Sequence, residues 1–170
     1  MKAVVSASLV AALGASWAFA TSIPRITFAE LTDNSDMILT GRIARTWTAW
    51  DSDHKYIWTH YELRVSGAHK GGAPALVEFA EPGGIAGGVG MSIAGTVGYT
   101  VGENVLVFLQ RMPNGYLRTT GWGQGKYRVD ADTRLHESLA LREGSLEGLV
   151  LRDAITRVSA RVSMGKAVKK

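Results

Sequence analysis

Residues 56–65 alternate in character from one position to the next, and this run constrains the fold more than any other feature of the chain. One face of a strand over this range would carry Ile57, Thr59, Tyr61, Leu63 and Val65, and the other would carry Tyr56, Trp58, His60, Glu62 and Arg64. Side chains of a β-strand point to opposite faces with a period of two, whereas a helix would mix the two sets. The run therefore predicts a strand with one face in the core and the other at least partly in contact with water.

Further segments have the composition of β-strands. They cover residues 37–45, 75–80, 105–109, 116–122 and 126–129. Branched and aromatic residues favour strands, and Gly41 inside the first of these segments indicates a bulge or a sharp bend. The range 105–109 is apolar throughout, which indicates a central strand with both faces covered. Residues 113–115, Pro-Asn-Gly, predict the hairpin turn that leads into the strand at 116–122.

Helices are predicted at the two ends of the strand-rich region. Thr27 and Glu30 have the spacing of a capping box, so a short helix should begin there and end near residues 34–35. Residues 151–162 repeat apolar side chains at three- and four-residue intervals, as one side of an amphipathic helix does. The order of elements predicts a mainly β protein: a small OB-like antiparallel β-barrel of five or six strands with a short N-terminal helix and a C-terminal helix. A β-sandwich is the second choice.

The first twenty residues have the layout of a secretory signal peptide. Lys2 precedes an apolar run over residues 3–19, and residues 18–20, Ala-Phe-Ala, form a small-x-small cleavage site. We expect cleavage after Ala20 and a secreted or periplasmic location in a bacterium, while an uncleaved membrane anchor is the alternative. No second apolar run is long enough to cross a bilayer, so no transmembrane span is expected after cleavage.

The chain of 170 residues contains no cysteine. This excludes thiol catalysis, cysteine metal sites and disulfides, so an exported domain of this size must be held together by core packing. The expected organisation is a signal peptide at 1–20, a single OB-like domain at 21–163 and a basic, disordered tail at 164–170. The basic side chains concentrate from Arg152 onward, which would allow contact with anionic lipid or nucleic acid. A solvated tail is the favoured interpretation, and the domain itself is not expected to bind nucleic acid.

No spacing of residue types in the chain is typical of a known reaction. His136 and Glu137 lack the second histidine of a zinc-protease helix, and Ser92 does not lie in a Gly-x-Ser-x-Gly sequence. Asp51 and Asp53 lack the glycine and the distal glutamate of an EF-hand loop. We therefore predict that the protein is not an enzyme and has no catalytic residue, metal ligand or cofactor.

Two alternatives to that prediction stay open. His54, His60 and His69 flank one predicted strand, and a metal site could be built from them if the fold brings them together. A hydrolase whose residues meet only in the folded structure is the other, since an acid and a histidine can approach without any sequence motif.

The candidate binding residues are aromatic side chains and glycines. They are Trp47, Trp50, Tyr56 and Trp58, around one predicted hairpin, and Gly87, Gly88 and Gly90, in a glycine-rich loop over residues 82–95. Glycine-rich loops allow a partner to approach closely, and exposed aromatic rings stack on sugars or bases. These residues predict an interaction module for an unknown exported protein or envelope component, with a glycan-binding domain as the alternative. The competing interpretation is that Trp47 and Trp58 cover the core and Trp50 caps the hairpin.

Residues 35–43, 61–71 and 101–109 have the character of three strands, and the second segment ends in a Lys-Gly turn. They resemble the first strand, the second strand and a later strand of netrin-like domains, a family that includes the tissue inhibitors of metalloproteinases. The chain resembles more closely still a group of uncharacterised exported bacterial proteins, over about residues 26–130. The segments that carry this second likeness are 82–84, 102–103 and 124–126.

The resemblance implies an OB-like barrel and export, and it implies no activity. The animal inhibitors chelate the zinc of a protease through an N-terminal cysteine that disulfides hold in place. Because this chain has no cysteine, that mechanism does not transfer. No functional residue of the family is carried over to a position in this sequence.

Overall fold

The computed structural model of the chain describes residues 24–138 and 144–168. Its α-helices are α1 (Phe28–Asn34) and α2 (Leu151–Val168), and a 3₁₀ helix spans Trp122–Gly125. The strands of this described part are β1 (Met37–Trp50), β2 (Ile57–Lys70), β3 (Leu76–Pro82), β4 (Gly84–Ala86), β5 (Val89–Met91), β6 (Asn104–Arg111), β7 (Leu117–Thr119), β8 (Lys126–Val129) and β9 (Leu135–Glu137). The chain is therefore mainly β, as predicted.

The strands pair antiparallel in one large sheet and one small hairpin. The large sheet has the order β3-β2-β1-β6-β8-β9, and β7 also pairs with β6. Strands β4 and β5 form a separate two-stranded sheet. Strand β1 lies at the centre because it pairs with β2 along one edge and with residues 104–109 of β6 along the other.

Helix α1 begins with the predicted capping box. The N–H of Glu30 donates to Oγ1 of Thr27 at 3.2 Å, and the N–H of Thr27 donates to Oε2 of Glu30 at 2.7 Å. These reciprocal bonds satisfy N–H groups that the first turn of a helix leaves without partners. The predicted helix start is confirmed.

The predicted strand around Gly41 is present and is longer than its composition suggests. Gly41 lies at a shift of register between β1 and β2. A Cβ atom there would overlap the backbone oxygen of Arg64 and lie 2.9 Å from Cδ1 of Leu63, so the predicted bulge is confirmed. Strands β1 and β2 each run for 14 residues, because cross-strand pairing continues well beyond the residues with strong strand composition.

Buried apolar side chains form two clusters on opposite sides of β1 and β6. The first comprises Leu39, Ile43, Tyr61, Leu63, Val77, Phe79, Val97, Tyr99, Val105, Val107, Leu109 and Leu117. The second comprises Leu31, Ile38, Leu106, Phe108, Tyr127, Leu135, Leu146, Ala154 and Val158, from both helices, the strands beneath them and the segment before α2. Alternate residues of β6 enter the two clusters, which confirms the prediction of a central strand covered on both faces.

The sheet is not closed, so a barrel is not confirmed. Strand β3 comes to lie beside β7, but in the parts of the chain that are described no strand pairing joins these two strands. A side chain bridges them instead, since Oε1 of Glu81 accepts a hydrogen bond from the backbone N–H of Thr119 at 2.7 Å. Strand β7 has only 3 residues, so it offers little backbone for pairing with β3.

Other elements differ from the predictions in extent. The glycine-rich loop contains the β4–β5 hairpin, and β9 was not predicted at all. Helix α2 continues to Val168 and so extends into residues 164–168, where the sequence predicts a disordered tail.

The predicted signal peptide, residues 1–20, lies outside the described residues. Within the described ranges, neither helix is both long enough and apolar enough to cross a membrane.

Candidate functional site

The β4–β5 hairpin packs against the last residues of β1 and the first residues of β2. The hydroxyl of Thr48 in β1 donates to the backbone oxygen of Ile85, and the hydroxyl of Thr59 in β2 donates to the backbone oxygen of Gly83 at 2.7 Å. Gly84 has φ +129, and a Cβ atom there would lie 2.6 Å from Oγ1 of Thr59 and 2.8 Å from Cγ2 of Thr48. Glycine at this position therefore lets the hairpin lie directly on the strand ends.

Large apolar side chains are exposed at this end of the molecule. Ile85 of β4 is 70 % exposed, Val89 of β5 is 48 % exposed, and Tyr56, just before β2, is 51 % exposed. We call these three side chains, together with the partly buried Trp50 at the end of β1, the apolar loop end. Isolated exposed apolar residues are ordinary, but a group presented by two adjacent hairpins marks a candidate interaction surface.

Five of the predicted binding residues come together here. Gly87 and Gly88, with φ +59 and +78, form the turn of the β4–β5 hairpin, and Gly90 lies in β5. A Cβ atom on Gly87 would lie 3.9 Å from Nε1 of Trp50, so the turn approaches that indole closely. Trp50 also stacks on His54 with ring centroids 6.1 Å apart, and Tyr56 closes the same β1–β2 turn through its backbone.

Trp47, which was predicted to belong to the same site, is engaged elsewhere. The ring of His60 stacks on its indole with centroids 5.2 Å apart and an interplanar angle of 8°. The guanidinium of Arg45 lies over the same indole, 4.4 Å from the ring centroid. The Trp47 ring is therefore already in contact with two side chains of its own chain.

The second face of the 56–65 run is in contact with water only in part, as predicted, since Tyr56 and Arg64 are exposed. Trp58 and His60 on the same face are 8 % and 7 % exposed, so Trp58 covers the core, as the competing interpretation predicts. The ring of Tyr116, just before β7, meets both of them edge-on, with centroids 4.9 Å from Trp58 and 5.5 Å from His60. Nδ1 of His60 also lies 2.9 Å from Oε1 of Glu78. The β6–β7 hairpin therefore covers the part of the face at Trp58 and His60, which a pattern local to β2 does not reveal.

A buried ion pair lies between β3 and β7. Glu81 is completely buried, Arg118 is 8 % exposed, and Nη2 of Arg118 donates to Oε2 of Glu81 at 3.2 Å. The guanidinium also lies over the ring of Trp122, 4.6 Å from its centroid. Burial raises the pKa of Glu81 above its ordinary value, although Arg118 and the N–H of Thr119 both act to lower it. Through these contacts the side chain of Glu81 joins β3 to β7 at one end of the boundary between the two strands, which we call the seam.

Tyr99 lies between the Glu81–Arg118 ion pair and a second ion pair, formed by Lys126 and Glu103. Its hydroxyl lies 2.6 Å from Oγ1 of Thr119, and its ring lies 4.4 Å from Nζ of Lys126. Lys126 in turn donates to Glu103 and to the backbone oxygen of Gly98, each at 2.8 Å. Burial is the main cause that raises the pKa of Tyr99 well above its ordinary value. In each ion pair the carboxylate lies against a cation, and this pairing explains how the charges are tolerated in the interior.

The histidines considered as metal ligands do not converge. His54 stacks on Trp50, His60 on Trp47, and Nε2 of His69 lies 3.1 Å from Oγ1 of Thr40. In the described ranges there is no group of three or more histidine or carboxylate side chains arranged to hold a metal ion.

His136 lies between two carboxylates near the start of the last loop. Its Nε2 is 2.8 Å from Oδ2 of Asp130, and its Nδ1 is 3.4 Å from Oε1 of Glu147. The side-chain hydrogen bond from His136 is the main cause that lowers the pKa of Asp130 below its ordinary value. Asp130 also accepts a hydrogen bond from the N–H of Arg134 at 2.8 Å, so the cluster fixes the β8–β9 turn.

Comparison of the chain with protein-family models, with curated proteins and with solved structures finds no match.

Proposed function

We propose that the protein is an exported, non-enzymatic binding module that engages another exported protein through the apolar loop end. The observation that carries this proposal is the exposure of Ile85, Val89 and Tyr56 on two hairpins held together by hydrogen bonds. Aromatic and aliphatic side chains of this kind form the anchors of protein interfaces, because burying them on association releases water from apolar surface. Export through residues 1–20 and an OB-like, netrin-like barrel are parts of the same proposal.

The contacts of Glu81, Glu103 and His60 support a binding role over a hydrolytic one. Glu81 is paired with Arg118, Glu103 with Lys126, and His60 with Glu78. A catalytic acid or base must reach a substrate as well as its own partners, and Glu81, the most deeply buried of these groups, faces the core. A hydrolase is the alternative that these contacts favour less.

The aromatic contacts favour a protein partner over a glycan. A sugar ring needs an open aromatic face on which to stack. The Trp47 ring is in contact with His60 and Arg45, and Trp58 is buried against Tyr116. Of the tryptophans proposed for glycan binding, Trp50 alone lies within the apolar loop end.

A site-specific photo-cross-linker at position 85 tests the proposal. The protein carrying it would be incubated with the exported protein fraction of the source cells and irradiated, and the adducts would be identified by mass spectrometry. We expect one dominant exported protein, and we expect the Ile85→Asp and Val89→Asp double variant to lose at least about tenfold in affinity for it, or about 1.4 kcal/mol.

Position 101 supplies the matched control. Val101 is 53 % exposed, and the adjacent Gly102 bonds through its N–H to Ile43 in the middle of β1, away from the loop end. A cross-linker at position 101 should give no adduct with the same protein, and Val101→Asp should leave its affinity unchanged. Equal adducts from both positions, or a change in Trp50 fluorescence on titration with an envelope glycan, would contradict the proposal.

A further inference from the structure

A groove of about 620 Å³ lies where β3 and the β6–β7 hairpin move apart. One wall is formed by residues 76–80 of β3 and the other by residues 111 and 115–117 of the hairpin. The Glu81–Thr119 hydrogen bond closes the groove at one end. Exposure of the β3 wall falls from Leu76 and Glu78, which are exposed, to Ala80, which is buried, so the groove narrows towards Glu81.

The β3 wall presents unpaired backbone groups at alternate residues. The N–H of Gly83 donates to Ile57, and the N–H of Val65 donates to Ala75, so residues 75, 77, 79, 81 and 83 bond to β2 in this antiparallel register. The N–H and C=O groups of Leu76, Glu78 and Ala80 therefore point away from β2 and into the groove. Within the described ranges, no backbone group pairs with them.

The β7 wall presents backbone groups of the opposite edge. The N–H of Met112 donates to Tyr116, and the N–H of Thr120 donates to Phe108, so residues 116, 118 and 120 bond to β6. The backbone of Leu117 and Thr119 therefore faces β3. The N–H of Thr119 is taken by Glu81, whereas the N–H and C=O of Leu117 have no backbone partner in the described part of the chain.

The floor and the rim of the groove differ in character. Val77, Phe79 and Leu117 line the floor and belong to the buried core. The charged side chains of the rim are Asp36, Glu78 and Arg111. Asp36 accepts a hydrogen bond from the backbone N–H of Arg111, and Arg111 donates to the backbone oxygen of Gly115. Two carboxylates against one guanidinium leave the rim with a net negative charge.

We propose that this groove binds an extended peptide segment of a partner protein by β-strand addition between β3 and β7. An extended main chain is the ligand that satisfies both sets of backbone groups at once, because it offers donors and acceptors on both of its edges. Its side chains would alternate between the apolar floor and the negative rim, so the segment alternates apolar and basic residues. The inference concerns a site separate from the apolar loop end and does not rest on the proposed function.

Binding of a short fluorescein-labelled peptide that alternates valine and lysine, followed by fluorescence anisotropy, tests this proposal. We expect saturable binding that is lost when alternate backbone nitrogens of the peptide are methylated, since methylation removes the N–H groups of one edge. We also expect weaker binding when lysine is replaced by glutamate. Hydrogen exchange should show that the amides of Leu76, Glu78 and Leu117 become protected when the unmodified peptide binds.

Glu78→Pro is the decisive variant of the protein. Proline is tolerated on a strand edge whose N–H faces away from the sheet, but it removes the donor that the peptide requires. We expect the dissociation constant to rise at least about tenfold in Glu78→Pro and to change less than about threefold in Glu78→Gln, which keeps the backbone donor. Ile85→Asp, at the apolar loop end, should bind the peptide as the wild type does.

Three results would overturn the proposal. One is unchanged affinity for the N-methylated peptide, and another is protection of amides elsewhere than in β3 and β7. The third is a concentration-dependent dimer of the free protein that disappears in Glu78→Pro, because the occupant of the groove would then be a second copy of the chain. The hydrogen-exchange measurement uses the wild type, so it decides the matter even if Glu78→Pro fails to fold.

Discussion

Oε1 of Glu81 accepts a hydrogen bond from the backbone N–H of Thr119 at 2.7 Å, and this contact replaces a rung of β-sheet pairing between β3 and β7. Oε2 of the same carboxylate binds Arg118. One completely buried side chain thus satisfies both a backbone donor and a buried cation. The contact fixes where the sheet comes nearest to closing and where the groove beside it ends.

Replacing Glu81 with alanine should destabilise the protein by about 3–5 kcal/mol, because the substitution leaves the Arg118 guanidinium buried without its counter-charge. Nε of Arg118 already has no partner among the described residues, so the remaining contacts are poorly placed to compensate. Urea unfolding followed by circular dichroism measures the loss.

Two variants control for that loss. Glu62 forms an exposed pair with Arg45 at 3.4 Å, and Glu62→Ala should cost less than about 1 kcal/mol. Replacing Glu81 by leucine together with Arg118 by methionine removes both charges and should recover part of the stability, since the buried N–H of Thr119 still loses its acceptor. A Glu81→Ala variant as stable as Glu62→Ala would show that the buried pair does not hold the seam.

Gly41→Ala should destabilise the protein by about 1–3 kcal/mol, the cost of overpacking a well-packed site. The new methyl group would overlap the backbone oxygen of Arg64, and backbone of a central strand pair yields less readily than a side-chain tip. Gly90→Ala is the matched control, since a Cβ atom there meets nothing within 4 Å. Thermal unfolding of both variants measures the difference, and equal melting temperatures would contradict the close approach at Gly41.

Local patterns were sufficient for several elements of this fold. The spacing of Thr27 and Glu30 predicts the capping box, the apolar run at 105–109 predicts β6, and Gly41 predicts the bulge in β1. In each of these cases the structure depends on contacts between neighbouring residues or on the burial of apolar side chains. The structural consequence therefore follows from a few neighbouring residues.

Contacts between distant segments were not predictable in the same way. The burial of His60 is one example, because nothing in β2 shows that Tyr116 lies over this residue and Trp58. Glu81 carried a signal that was missed, since it continues the inward-facing positions of Val77 and Phe79. A carboxylate at such a position needs a buried partner, but its identity as Arg118 depends on how β7 packs.

The pH dependence of the β8–β9 turn should follow from Asp130. Its pKa is lowered below the ordinary value of 3.8, chiefly by the side-chain hydrogen bond from His136. A carboxyl group with a lowered folded-state pKa contributes stability above its unfolded-state pKa, and that stability is lost as the pH falls through the folded-state pKa. The turn should therefore loosen only at pH values below about 3.8.

An NMR titration of the Asp130 carboxyl carbon checks this expectation. In the wild type the midpoint should lie below 3.8, and in His136→Ala it should move upward because the main lowering contact is gone. His54→Ala is the control, since His54 stacks on Trp50 and makes no contact with Asp130. An unchanged midpoint in His136→Ala would mean that the backbone N–H of Arg134, and not His136, sets the titration.

Thr27→Ala should cost about 1 kcal/mol of stability, because the N–H of Glu30 loses the hydroxyl that accepts its hydrogen bond. Helix α1 has 7 residues, too few to be stable alone, so weakening its first turn should also loosen the packing of Leu31 in the core. Thr27→Ser keeps an acceptor oxygen and should remain within a few tenths of a kcal/mol of the wild type. Urea unfolding of the three proteins measures the differences, and hydrogen exchange at Glu30 shows whether the loss begins at the helix start. If Thr27→Ala and Thr27→Ser lose equal stability, the packing of the threonine methyl group, and not the capping box, stabilises this end of the helix.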